Sequence, residues 1–136
     1  MRRWPVIGFV AAVALLIPLS LSAHHGGAAF DSGKIVVLKG TVTQWIYSNP
    51  HCLLRLDVTG EDGKVVPWVA EGQAPNVIFP AGYRRDSFKP GDQVSITVEP
   101  VKNGQSAGRI LESVLADGKK LGRASSAGSD AAIQRR

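Results

Sequence analysis

The sequence predicts an all-β fold, a small barrel of five strands with one short helical connector. Three observations predict it. Five runs rich in β-branched and aromatic residues alternate apolar and polar positions with a period of two. Clusters of Gly, Pro, Asn and Asp punctuate them, and the single break in the β pattern, residues 72–85, falls between the third run and the fourth.

The first run, residues 34–47, is too long for one flat strand and carries Gly40 in its middle. An interior glycine marks a bulge or coil that lets one strand serve both halves of a curled sheet. Alternation puts Leu38, Gly40, Val42, Gln44 and Ile46 on one face and Lys39, Thr41, Thr43 and Trp45 on the other. A tight corner follows at Ser48-Asn49-Pro50-His51-Cys52, where proline fixes φ and steers the residue before it away from helix. In the second run, residues 53–58, Cys52, Leu54, Leu56 and Val58 share a face, which places His51 outward or at a rim. Asp62-Gly63 turns the chain into the third run, residues 65–71, where Pro67 indicates an edge or a bulge.

In the connector, Pro75 suits the first turn of a helix that Pro80 and Gly82 stop early. Pro90-Gly91 launches the fourth run, in which Val94, Ile96 and Val98 alternate with Gln93, Ser95, Thr97 and Glu99. The fifth, residues 108–115, sets Ile110, Glu112 and Val114 against Leu111, Ser113 and Leu115. Three strands, a connector and two strands, with a kinked first strand, is the order of a partly open barrel of the oligonucleotide/oligosaccharide-binding type.

Both ends read as additions to this one domain. Met1-Arg2-Arg3, the apolar residues 6–19 and the small Ser20, Ser22 and Ala23 have the layout of a signal peptide over residues 1–23. The apolar core is fourteen residues long, short of the ~20 that a membrane span needs, so a membrane enters only if the segment stays uncleaved. The barrel with its N-terminal arm occupies residues 24–122, and residues 123–136 read as a disordered tail. The expected location is therefore periplasmic or secreted.

The formal charge of +5 does not indicate nucleic acid, because residues 23–122 hold eleven Lys and Arg against ten Asp and Glu. That near-neutral surface has no basic stripe interleaved with aromatics. Cys52 is the sole cysteine, which rules out an intrachain disulfide and reads as a small buried hydrophobe.

The sharpest chemistry is in three histidines, His24 and His25 beside the expected cleavage point and His51 at the corner. A cut before Ala23 makes His25 the third residue, so the amine, two amides and an imidazole enclose Cu(II) or Ni(II) in a square plane. A cut before His24 makes the amine and its own imidazole a bidentate clamp, which His25 or His51 completes as a three-nitrogen copper brace. A solvated His pair and a His51 ring that only caps the Asn-Pro corner are the plain alternatives, since two adjacent histidines are a low-specificity signal beside a four-cysteine zinc pattern. Asp31 and Glu71 are the carboxylates placed to act as second-shell partners or oxygen ligands. Trp45, Tyr47 and Trp68 form a candidate aromatic rim, with core packing as their ordinary role. No serine elbow, phosphate loop or cysteine/histidine dyad supports an enzyme, and only a copper oxidase of the brace type, with His24 first, would be one. Two readings follow: an exported barrel binding copper or a similar divalent ion through His24, His25 and His51, or a metal-free module presenting a face to an envelope protein or glycan.

Ala23-His24-His25, Ala29-Phe30-Asp31, Leu38-Lys39-Gly40-Thr41-Val42, Asn49-Pro50-His51, Ala74-Pro75-Asn76, Arg85-Asp86-Ser87 and Lys89-Pro90-Gly91-Asp92-Gln93-Val94 together resemble a family of small exported bacterial proteins of unknown function. The resemblance runs from about residue 23 to 121. It implies export, an Ala-His-His opening after the signal and an Asn-Pro-His corner, and no activity. Gly26-Gly27 and Cys52 depart from the family's usual pattern.

Overall fold

The computed structural model describes residues 29–124. Strands β1 (Val36–Ile46), β2 (Leu53–Thr59) and β3 (Val65–Glu71) are followed by a one-turn helix, α1 (Pro75–Ile78), and a 3-10 turn (Phe79–Ala81). Strands β4 (Gln93–Pro100), β5 (Ala107–Val114) and the two-residue β6 (Lys120–Leu121) complete the chain. The sheet order is β3-β2-β1-β4-β5-β6. A parallel pairing of β3 with β5, Val69 with Ala107 through Glu71 with Arg109, joins the two ends of the five-strand sheet. The barrel is therefore closed, where the sequence indicated a partly open one, and β6 is a small addition outside the ring.

β1 does serve both halves. Its residues 36–41 pair with β4 and residues 40–46 with β2, so Gly40 is shared between the two pairings. A Cβ there would lie 2.5 Å from the Asp57 carbonyl oxygen, so glycine answers a close backbone approach. The bulge falls further on, between Val42 and Gln44. One extra residue in a strand reverses the faces beyond it, and Trp45 rather than Gln44 turns toward the core, opposite Leu54. A second irregularity, in the β4–β5 ladder, lets Ile110 and Ser113 both point inward. The alternation expected for residues 110–115 breaks there for the same reason.

Leu38, Val42, Leu54, Leu56, Ala70, Ile96, Val98 and Ile110 fill the barrel. The connector closes it with Ile78, Tyr83 and Phe88, all buried. Each such side chain taken from water contributes ~1.5–3 kcal/mol. Tyr83 donates its hydroxyl to the Gly122 carbonyl at 2.9 Å, and the Ser113 hydroxyl, also 2.9 Å away, donates to Tyr83. Burial pushes the Tyr83 phenol up to about 12. The folded body runs through Ala124, whose methyl group is buried and whose carbonyl accepts the Gln73 N–H at 2.7 Å. Among the described residues no helix is long and apolar enough to cross a membrane.

Candidate functional site

At the corner, where the Asn49-Pro50 bond is cis, His51 leads into β2 beside the end of β3. Cys52 exchanges backbone hydrogen bonds with this end, its N–H to Gln73 and its carbonyl from the Gly72 N–H. Leu53 lies opposite Glu71, so His51, two residues before Leu53 and on the same outer face, is the diagonal neighbour of Glu71. Its Nδ1 is in contact with a Glu71 carboxylate oxygen. An ionised carboxylate only accepts, so Nδ1 donates in this contact. Both side chains are only partly covered, 32% and 19% exposed.

The outer row continues across the closing ladder. Arg109 stands opposite Glu71 on β3 and opposite Glu99 on β4, and its Nε pairs with the Glu99 carboxylate. The arm that precedes β1 lies over this pair. Phe30 bridges to Val101, and the Arg109 guanidinium carbon is 5.3 Å from the centre of its ring. Ala29, Phe30 and Glu71 border one groove of about 370 Å³, with Lys102, Asn103 and Gln105 of the β4–β5 loop opposite.

The other expected residues lie elsewhere. Asp31 borders a separate groove with Lys34, Val36 and Trp68. Trp45 and Tyr47 belong to a cluster with Tyr83 and Phe88: the Trp45 ring is 5.8 Å from Tyr47 and 4.9 Å, edge-on, from Phe88. Trp45 donates its indole N–H to the Arg84 carbonyl at 2.9 Å, and Tyr47 its hydroxyl to the carbonyls of Pro75 and Tyr83. These two rings hold the connector down, while Trp68 packs against the core from β3 beside Val36. The three do not make one platform. Cys52 points inward and is fully buried, and burial pushes its thiol up, away from the thiolate that binds metals. His24, His25 and the signal segment lie outside the described residues. Among the described residues no group of three His, Cys, Asp or Glu side chains is placed to hold a metal ion. What this part of the chain supplies is one imidazole with its carboxylate.

The model of a family of unknown function, DUF6152, matches residues 13–110, nearly three quarters of the chain. The chain belongs to this family. The DUF6152 match takes in the arm, the corner, Glu71, Glu99 and Arg109. No curated protein and no solved structure matches the chain. Arg109 and Glu99 are the residues of this face that sequence reasoning missed. They meet through the antiparallel register of β4 against β5, and Arg109 comes to Glu71 through the parallel pairing of β3 with β5; neither pairing leaves a local signal.

Proposed function

We propose that this DUF6152 protein is an exported binding protein that holds copper or a similar divalent ion between His24, His25 and His51. The observation that carries the reading is the contact of His51 with Glu71. A carboxylate on Nδ1 orients the ring, the arrangement that metal-binding histidines share. The metal class follows from the donors. Nitrogen and oxygen are on offer at this face while the only thiol points into the core, which favours a divalent ion over the softer Cu(I). His25 and His24 precede Ala29 by four and five residues, at most ~14 and ~18 Å of extended chain, and Ala29 borders the same groove as Glu71. The periplasmic or secreted location rests on the layout of residues 1–23.

Cu(II) titration of the purified mature protein, with intact mass fixing its first residue, tests this. His51→Ala is expected to bind Cu(II) at least tenfold more weakly than the parent, and equal affinity overturns His51 as a ligand.

One observation favours a metal-free module for an envelope protein or glycan instead. Phe79 is 52% exposed, with the Arg84 guanidinium 3.5 Å over its ring. On that reading neither Cu(II) nor chelator changes the melting temperature.

A further inference from the structure

We infer that the groove of about 370 Å³ beside Glu71 is a binding site for a small monoamine with an apolar body, whose ammonium group is held by the Glu71 carboxylate. This goes beyond the metal reading and does not need it, since every group it uses lies between Ala29 and Arg109.

Backbone hydrogen bonds hold the walls of the groove. On one side the Lys102 N–H donates to the Ala29 carbonyl at 3.1 Å and the Asp31 N–H to that of Pro100 at 2.8 Å, which fixes Ala29 and Phe30 beside the β4–β5 loop. On the other side the Val69 N–H donates to the Ser106 carbonyl at 3.1 Å, and the Val101 N–H to that of Ala107 at 3.0 Å. The floor between is apolar: Val69 opposite Ala107, Val101 beside it, and Phe30 paired with Val101. Gly108 lets β5 lie this close to β4, because a Cβ there would be 2.7 Å from the Glu99 carbonyl oxygen. A preformed, mostly apolar recess with few polar groups is the usual form of a small-molecule site, and its volume falls within the common range of ~300–1,000 Å³.

The class of ligand follows from the carboxylate. Glu71 Oε1 is engaged by His51 Nδ1. Arg109, the cation that the register sets opposite Glu71, pairs with Glu99 instead. A carboxylate has two oxygens and accepts several donors, so Glu71 retains capacity for a donor at the edge of the groove. An ammonium answers it better than a neutral group, because a charge-assisted hydrogen bond is about twice as strong as a neutral one. Lys102, on the loop opposite, repels a second cation, which selects a monoamine over a diamine.

The experiment titrates the mature protein, in EDTA, with benzylamine, benzyl alcohol and para-xylylenediamine, followed by amide NMR shifts. Benzylamine is expected to bind with a Kd of ~1 mM, its shifts centred on Val69, Glu71, Val101 and Ala107, and the alcohol about tenfold more weakly. The diamine is expected to bind more weakly than benzylamine. Glu71→Gln should cut the preference for amine over alcohol to less than about twofold and leave the alcohol's affinity as it was. Ala107→Leu, which fills the floor, should weaken both about fivefold. Equal affinity of the parent for amine and alcohol, or shifts centred elsewhere, overturns the inference, and a diamine as tight as benzylamine overturns the choice of a monoamine. Should Glu71→Gln not fold, Ala107→Leu and the comparison of amine with alcohol in the parent decide. Chelator is present throughout, so failure here leaves the metal reading standing, and loss of His51 as a copper ligand leaves this site standing.

Discussion

The plug inside the barrel and the charged row outside it both contain polar side chains, and they use them differently. Under the connector, Tyr83, Ser113 and the Gly122 carbonyl satisfy one another at 2.9 Å in a space sealed by Phe88 and Ile78. On the outside, His51, Glu71, Arg109 and Glu99 pair two by two along neighbouring strands, and the His51–Glu71 half is open to water. A buried polar group without partners costs ~1–3 kcal/mol, so the plug's hydrogen bonds belong to the architecture. The fold makes no such demand for an imidazole and a carboxylate that are partly exposed.

Three experiments test the contrast. Tyr83→Ala empties the plug and should cost ~3–5 kcal/mol, the range for a large buried aromatic. Urea unfolding of this variant beside metal-free His51→Ala makes the comparison, and a similar loss for His51→Ala would make the outer row architectural.

Tyr83→Phe should cost ~1–3 kcal/mol at neutral pH by leaving Ser113 and Gly122 without their partner. It also changes the alkaline limb. The folded phenol titrates at about 12 against an ordinary 10, so its contribution is whole below pH 10 and is lost as pH rises toward 12. Two pH units correspond to ~2.7 kcal/mol. Unfolding followed from pH 9 to pH 12 should show this decline in the parent and not in the Phe variant.

Smallest of the three, metal-free Glu71→Gln should change stability by less than ~1 kcal/mol, as befits a partly exposed pair. A loss above that value would move Glu71 into the framework.

Legibility in the sequence followed locality. The runs, the turns at Asp62-Gly63 and Pro90-Gly91, and the proline-started connector are written in neighbouring residues, and the structure has them in that order. Phase along a strand was legible only as far as the next bulge. Past Val42 it reversed, which is why Trp45 reads as outward in the sequence and packs on Phe88 in the fold. Tyr83 gave no signal, because an aromatic residue between Gly82 and Arg84 reads as loop until the barrel's open end is known to need a stopper. The contact of His51 with Glu71 depends on the register of β2 against β3, and that of Arg109 with Glu99 on the register of β4 against β5. Composition does not encode either.

One pleat separates the residues at the corner: His51 faces water and Cys52, the next residue, faces the interior. A redox-active ion resting on that imidazole would have no sulfur within reach to oxidise, and two copies meeting in an oxidising medium would find nothing to cross-link. For a chain with a single thiol, whether that atom meets an oxidant comes down to which side of a strand it is on.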